Sequence, residues 1–211
     1  MYIPKHFEEN DPKRLAAFMR EYNFAILVNY TKKKPWASHL PFIIDTEREN
    51  IVLKAHMAKA NPQWATFKSG DEVLVIFSEP HSYISPSLYD TPVSVPTWNY
   101  AAVHAYGTPK ILESFDERIA LLELSFQHFE DAYRQRWDAL PRDYRDDLLE
   151  GIVAFEIPVS RLEGKYKLSQ NRNDTEREKI IDMLEQNDSN SGNGIAELMK
   201  ENRNTNTSKT D

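Results

Sequence analysis

The order of apolar and polar positions predicts one amphipathic helix followed by a series of short strands. The helix is predicted from Asp11 to Tyr22, because an N-capping Asp and a first-turn Pro precede apolar residues at helical spacing. A polar turn at 32–35 is expected to join the first two strands into a hairpin. Apolar runs bounded by polar turns predict strands at 23–30, 36–44, 51–56, 71–79, 97–108 and 151–159.

Helices are predicted in two further regions. A short one is expected at 61–69, where an Asn-Pro start is followed by a Ser-Gly stop. Ser114 and Glu117 form a capping-box pattern before a helical stretch that reaches about Trp137, and Pro141 begins another piece. Six or seven strands without regular β-α-β alternation predict a fold that is mainly β with peripheral helices, an antiparallel barrel.

The chain divides by composition into one domain and a tail. Residues 1–172 are expected to form the barrel domain, with a helical insertion at 114–150. Residues 173–211 are polar apart from an apolar cluster between Ile180 and Leu184. We expect a short helix there and disorder from Asn187 onward.

Charge and cysteine content narrow the function classes. The 211 residues contain no Cys and carry a formal net charge of −7. Disulfides and thiolate-metal sites are thereby excluded, and a broad basic face for nucleic acid is not expected. No apolar run approaches the roughly 20 residues of a membrane span, and the first ten residues lack a signal for export. A cytoplasmic protein with no membrane partner is therefore expected.

The segment before the short helix could hold a phosphate. Lys59 precedes Asn61-Pro62, and a helix N-terminus offers unpaired N–H groups beside that positive charge. In the simpler alternative, Asn61 is a helix cap, Trp64 is a core residue and Lys59 is solvated.

The proline-rich loop at 80–96 and the strand after it offer further polar groups. The loop is expected to be held by aromatic rings and hydroxyl groups instead of a backbone ladder. Ser85 could donate to a phosphate or only stabilise its own turn. The strand at 97–108 alternates bulky and small residues, so Asn99 and Tyr100 could contact a planar cofactor, although aromatic residues there could equally anchor an interface.

Two lysines lie close together before the tail. Lys165 and Lys167 share one face if their segment is extended, and two like charges side by side favour an anion nearby. Gln170 follows as a hydrogen-bond donor. The alternative is a solvated exit segment. The six His residues show no metal-binding spacing and no catalytic motif is present, so we assign no metal site and no catalytic residue.

The ordered motifs of the chain resemble those of the PaiB family of FMN-binding negative transcriptional regulators. The resemblance covers residues 1 to about 175 and rests on six segments: 1–7 (MYIPKHF), 38–41 (SHLP), 60–64 (ANPQW), 83–87 (YISPS), 95–100 (VPTWNY) and 167–172 (KLSQNR). It implies an FMN-binding split β-barrel in a homodimer, with flavin sites at the subunit interface. It also implies negative regulation of sporulation and degradative-enzyme genes.

On that resemblance we place the FMN phosphate near Lys59, Ser85, Lys165 and Lys167, and the isoalloxazine edge near Asn99, Tyr100 and Gln170. The chain has Lys59 where the family usually has Arg, and Leu88 where it often has Trp. Because Lys lacks the bidentate fork of Arg, FMN could bind more weakly here, or be absent from the isolated protein.

Several functions remain open at this point. A flavin-binding regulator could act on DNA directly or through a protein partner, and the acidic charge favours a partner docked on the helix after Ser114. The alternatives are an FMN-dependent oxidoreductase, a cofactor-free dimeric scaffold, or a haem-binding protein in which the axial ligand is one of His6, His39, His56, His81 and His104.

Overall fold

An antiparallel sheet is the main element of the structure, a computed structural model that describes residues 1–31, 34–187 and 189–207. Ten strands lie within those residues. They are β1 (Glu8–Glu9), β2 (Phe24–Thr31), β3 (Lys34–Pro41), β4 (Ile43–Asp45), β5 (Val52–Ala58), β6 (Val73–Phe77), β7 (His81–Ile84), β8 (Thr97–Gly107), β9 (Lys110–Ile111) and β10 (Ile152–Lys167).

The helices flank these strands in sequence. They are α1 (Pro12–Glu21), α2 (Phe115–Phe129), α3 (Tyr133–Asp138), α4 (Arg142–Glu150), α5 (Asp174–Gln186) and α6 (Asn190–Thr207). The capping box at the start of α2 is confirmed: the Glu117 N–H donates to the Ser114 hydroxyl over 3.2 Å, and the Ser114 N–H donates to the Glu117 carboxylate over 3.0 Å. The stretch predicted to continue to Trp137 is divided into α2 and α3.

The β2–β3 hairpin and the loop at 80–96 were both predicted from sequence. The two strands of the predicted hairpin pair from Phe24↔Pro41 to Thr31↔Lys34, and the first half of the turn between them, residues 32 and 33, lies outside the described residues. The loop at 80–96 was expected to lack a backbone ladder, and this is wrong for β7, which pairs with β8 from His81↔Tyr100 to Ile84↔Thr97. Its prolines flank the ladder at Pro80 and Pro86 and so do not interrupt it.

The described chain forms two compact units, and each contains several segments. Unit 1 comprises 1–11, 78–103 and 163–211, and unit 2 comprises 12–77 and 104–162. Strands β8 and β10 contribute residues to both units, and the division into a domain at 1–172 and a tail at 173–211 stays a prediction.

Unit 2 contains most of the sheet. The strand order is β3-β2-β6-β8-β10-β5-β4, and β9 pairs with β10. Its interior is aromatic: the Phe42 ring lies 6.0 Å from Phe77 and 6.4 Å from Phe155, centroid to centroid, and all three side chains are fully buried.

Unit 1 contains β1, β7, the first part of β8, the end of β10, and the helices α5 and α6. The expectation of disorder from Asn187 is wrong up to Thr207, since α6 covers Asn190–Thr207. Ile180 and Leu184 of α5 and Ile195 and Met199 of α6 are at most 1% exposed. A few apolar residues at helical spacing are enough to form α6, because they are buried between the two helices.

Helix α6 also contacts the edge of β7. The Ser191 hydroxyl accepts a hydrogen bond from the His81 N–H over 2.9 Å and donates to the His81 carbonyl over 2.6 Å. One side chain therefore satisfies both backbone groups of His81. Within the described residues, no helix combines the length and apolar character that a bilayer crossing requires.

Candidate functional site

The structure divides the seven predicted cofactor-binding residues between the two units. Lys59 belongs to unit 2. The other six belong to unit 1: Ser85, Asn99, Tyr100, Lys165, Lys167 and Gln170.

Lys165 is a buried lysine held by a carbonyl and two aromatic rings. Only 9% of the residue is exposed. Its ammonium group donates to the Tyr2 carbonyl over 3.1 Å and lies 5.7 Å from the centroid of the Tyr2 ring and 5.2 Å from that of Tyr100. Cation–π contacts stabilise an ammonium group without neutralising it. None of these three contacts brings a negative charge to Lys165.

Lys167 lies two residues further along β10 and has a different partner. Its ammonium group donates to the Thr97 hydroxyl. Burial lowers the pKa of Lys167, and the positive charge of Lys165 lowers it further. Within the part of the chain that the structure describes, neither lysine has a carboxylate in ion-pair range. The two lysines therefore repel each other.

A cavity of about 290 Å³ opens beside Lys167. None of the described residues that line it is Asp or Glu, whereas Lys167 and Arg172 are cationic and His6 adds a ring nitrogen. Thr97, Asn99, Ser169 and Asn171 add neutral polar groups, and the remaining lining residues are Phe7, Tyr89, Val95 and Pro96. This donor set suits a small anion such as a phosphate.

Two lining residues pair inside the cavity wall. Asn99 is fully buried and Ser169 is 4% exposed. They exchange two hydrogen bonds, of 3.0 Å from the Asn99 amide and 3.1 Å from the Ser169 hydroxyl. Ser169 adopts φ 58°, a left-handed conformation that is uncommon for a residue with a side chain.

Sequence reasoning did not single out Tyr89 or assign Arg172 a role. The Arg172 guanidinium carbon lies 3.6 Å from the Tyr89 ring centroid, so the cation stacks on the ring. Burial raises the pKa of Tyr89. Arg172 ends the KLSQNR motif, so its position in that motif was the signal that could have identified it.

Ser85 and Gln170 both bond to nearby backbone. The Ser85 hydroxyl accepts from the Ser87 N–H over 3.2 Å, as its turn-stabilising alternative predicts. The Gln170 side chain accepts from the Leu168 N–H over 2.7 Å and donates to the Tyr166 carbonyl over 2.5 Å. These contacts fix the chain on either side of the cavity residues, and cofactor contacts by the two side chains remain predictions.

Lys59 lies exposed at a separate pocket of unit 2, of about 250 Å³. Lys68, Arg118 and Glu113 also line this pocket, together with the half-buried Trp64. The Trp64 indole N–H donates to the Lys59 carbonyl over 2.9 Å. Asn61 caps the following 3₁₀ helix, Pro62–Ser69, by accepting from the Gln63 N–H. A phosphate contact by Lys59 therefore remains a prediction.

The histidines considered as haem ligands have different surroundings. His6 lines the cavity of unit 1, and His81 lies edge-on to Trp98 with 5.7 Å between ring centroids. In unit 2, His39 stacks on Phe24, and burial lowers the pKa of His56. Haem binding stays a prediction.

Comparison with known proteins identifies relatives of the whole chain. Residues 1–161 match a family model described as "Putative FMN-binding domain". The chain is 38% identical to the Protease synthase and sporulation protein PAI 2 (PaiB) of Bacillus subtilis, over 95% of this chain and 97% of that protein. It is 31% identical to an uncharacterized protein of Emericella nidulans, again over 95% of this chain and 97% of the relative.

Two solved structures with this fold have names that refer to a flavin. The flavocytochrome Anf3 of Azotobacter vinelandii superposes with a TM-score of 0.62 at 9% identity, over 78% of this chain and 72% of that one. An FAD and haem binding protein of Mycobacterium smegmatis gives 0.59 at 14% identity, over 76% and 73%. The predicted mainly antiparallel, split-barrel fold is confirmed. By the family match and the whole-length similarity to PaiB, the chain belongs to the PaiB family of FMN-binding proteins.

Proposed function

We propose that this chain is a homodimeric, FMN-binding regulator that lowers the expression of sporulation and degradative-enzyme genes in the cytoplasm. Membership of the FMN-binding family supports the cofactor. The name of the Bacillus subtilis relative, which refers to protease synthesis and sporulation, supports the genetic role.

The neighbouring lysines Lys165 and Lys167 carry the proposal. Placing two ammonium groups in partly desolvated positions without a carboxylate is unfavourable, and a bound dianion removes the repulsion. The FMN phosphate has that charge near neutral pH. Arg172 adds a planar fork at the same cavity, so the donor set fits a phosphate ester.

The cavity is large enough for one end of the cofactor. Ligand pockets usually span about 300–1,000 Å³, and this cavity, at about 290 Å³, lies at the lower limit. We assign the FMN phosphate to this cavity and the isoalloxazine ring to the surface next to it. Lys167 and Arg172 supply positive charge from the cavity lining and Lys165 supplies it from two residues earlier in β10, while Asn99 and Ser169 hold the cavity wall. The bound flavin would supply reversible electron transfer, and the protein supplies its position.

The charge of the chain favours an indirect route to the genes. A protein that neutralises DNA phosphates needs a basic surface, and this chain carries a net charge of −7. We therefore propose that the dimer acts through a protein partner. Helix α2 is the surface that we assign to this contact, since Phe115 and Phe129 at its ends are 37% and 51% exposed.

Titration with FMN tests the cofactor assignment. Visible absorbance and the mass in solution are measured for the wild type and for a Lys165→Ala/Lys167→Ala variant. Two charge-assisted contacts should be worth about 3 kcal/mol together, which weakens FMN binding about 100-fold. The matched control is Lys34→Ala/Lys110→Ala, which removes the same charge from two exposed strand lysines. No flavin uptake by the wild type, or equal losses in both double variants, would refute the assignment.

Secreted protease activity tests the regulatory role. The chain is expressed in a Bacillus subtilis strain that lacks the PAI 2 protein. The wild type should lower protease activity, and the Lys165→Ala/Lys167→Ala variant should not. Unchanged protease activity with the wild type would contradict regulation, while FMN binding would stand on its own titration.

A further inference from the structure

A second cavity, of about 360 Å³, lies in unit 2 and is lined by α2 together with residues of β5 and β10. None of the predicted cofactor-binding residues lines it. Its described lining combines an apolar part with charged groups of both signs: Leu112, Ala120, Leu121 and Leu124, then Arg48, Lys54, Glu117 and Glu156. A cavity that presents both kinds of group can select a ligand by shape and by charge.

The apolar part of the cavity is attached to the core of unit 2. Leu121 is buried and forms a small cluster with Ile43 and Ala154. Leu112 and Leu124 pack against this cluster but remain half-buried. The Leu112 N–H donates to the Ala154 carbonyl over 2.9 Å, which fixes the backbone at this wall. The two half-buried leucines therefore offer apolar surface to a ligand on a fixed support.

The charged part of the cavity belongs to a continuous set of ion pairs. The Lys54 ammonium group lies 2.7 Å from the Asp45 carboxylate, and this hydrogen bond lowers the pKa of Asp45. The Arg48 guanidinium lies 3.7 Å from Asp45 and 3.1 Å from Glu156. Glu156 stands directly opposite Lys54 in the β5–β10 register. The strands and the turn between β4 and β5 thus hold two cations and two carboxylates close together.

These ion pairs leave donors and acceptors unused at the cavity. Among the described residues, the Arg48 guanidinium makes one hydrogen bond, from Nη1 to Oε2 of Glu156, and its side chain is 53% exposed. The rest of its fork of N–H donors is open. Oε1 of Glu156 accepts no hydrogen bond from the described residues. The Glu117 carboxylate accepts from Ser114, and no cation of the described chain lies in ion-pair range of it.

This lining favours a ligand that carries both charges. A simple acid would be repelled by Glu117 and Glu156, and a simple amine by Arg48 and Lys54. An uncharged apolar molecule would desolvate the ion pairs and give them no new partner. An α-amino acid carries its carboxylate and its ammonium group on the same carbon atom, and these match Arg48 and Glu156, which are in contact with each other.

We propose that this cavity binds a free α-amino acid with an apolar side chain. The ligand carboxylate pairs with the open fork of Arg48. The ligand ammonium group pairs with Oε1 of Glu156 and with Glu117, and the side chain packs on Leu112 and Leu124. No residue of the proposed FMN site takes part, so this inference goes beyond the proposed function and does not rest on it.

Isothermal titration calorimetry of the full chain with L-leucine tests the proposal. Two analogues separate the contacts, because leucinamide lacks the carboxylate and isocaproate lacks the ammonium group. The wild type should bind L-leucine, and it should bind each analogue at least about tenfold more weakly, since each analogue loses a charge-assisted contact. L-valine and L-phenylalanine are titrated in parallel to cover smaller and larger apolar side chains.

Two variants locate the contacts in this cavity. Arg48→Ala should weaken L-leucine binding at least about tenfold and leave leucinamide unchanged, because leucinamide has no carboxylate to lose. Glu156→Gln should weaken L-leucine and leave isocaproate no weaker. Arg142→Ala is the matched control, since Arg142 is also an exposed arginine paired with one carboxylate but does not line the cavity.

The other outcomes overturn the inference. If all three amino acids fail to bind at millimolar concentrations, the cavity is not an amino-acid site. If isocaproate binds as tightly as L-leucine, the cavity takes a simple acid instead. Equal losses in Arg48→Ala and Arg142→Ala would place the binding elsewhere on the chain. FMN titration is a separate measurement: a wild type that takes up no FMN refutes the proposed function and leaves the amino-acid site standing.

Discussion

Asn99 and Ser169 satisfy each other inside unit 1, where the Ser169 hydroxyl both accepts from the Asn99 amide and donates to the Asn99 carbonyl oxygen. The first residue lies on β8 and the second follows β10, so the pair joins two strands beside the cationic cavity. A buried polar group that loses its partner keeps the cost of its desolvation. The stability of the cavity wall therefore depends on both members.

We predict that Asn99→Ala lowers the free energy of unfolding by about 1–3 kcal/mol, since it leaves the Ser169 hydroxyl buried without this partner. Urea denaturation measures the loss. Asn171→Ala is the control, because Asn171 lines the same cavity but is exposed. Equal losses in the two variants would show that the Asn99–Ser169 pair has no special role in stability.

The left-handed backbone at Ser169 predicts that a Gly substitution there is more stable than an Ala substitution, the reverse of the usual order. Ser169→Gly and Ser169→Ala both remove the hydroxyl, but only Gly adopts φ 58° without steric cost. The Gly variant should be more stable than the Ala variant by about 1 kcal/mol. Thermal or urea unfolding measures the stability of the two variants. A more stable Ala variant would contradict the left-handed conformation of residue 169.

FMN affinity should first rise and then fall as the pH increases. It should rise as pH passes about 6, where the phosphate loses its second proton. It should fall again at alkaline pH, when Lys167 loses its charge. Because burial and Lys165 lower the pKa of Lys167 from its ordinary value of 10.5, the fall begins below that pH. Titrations with FMN and riboflavin across this range provide the measurement, and riboflavin, which has no phosphate, should lack the rise at acidic pH.

Lys59 offers a test of the phosphate contact that its sequence context predicts. If Lys59 contacts the FMN phosphate, Lys59→Arg should tighten FMN binding, because Arg adds a bidentate fork, and Lys59→Ala should weaken it. Lys68→Ala is the control at the same pocket of unit 2. FMN affinity that is unchanged in both Lys59 variants would remove this residue from the site.

The packing of α6 predicts a stability role for the end of the chain. Ile195→Ala should lower the free energy of unfolding by about 2–5 kcal/mol, since Ile195 is fully buried. Glu197→Ala, at an exposed position of the same helix, should change it by less than about 0.5 kcal/mol. Urea denaturation curves compare the two variants. Similar stabilities would mean that α6 adds little to folding.

The features that the sequence predicted correctly are those that depend on residues close together in the chain. The Ser114–Glu117 capping box and the alternation of β8 could be predicted because each depends on residues close together in sequence. Helix α6 was missed since its few apolar residues, such as Ile195 and Met199, lie in a polar segment and gain their burial from tertiary packing. The left-handed Ser169 gave no local signal, because its Asn99 partner is 70 residues away in sequence. The lysine pair was visible in sequence, but its burial depends on residues as distant as Tyr2.

The contact between Ser191 and His81 places a constraint on biosynthesis. Its two residues are 110 positions apart. At about 5–20 residues per second, a ribosome needs roughly 5–20 s to travel from one to the other. During that interval the backbone groups of His81 on the outer edge of β7 have no Ser191 to satisfy them, and open strand edges recruit other chains. Helix α6, which is translated after β7, thus satisfies the β7 edge at His81, and translation that stops before α6 should yield chains that aggregate through β7.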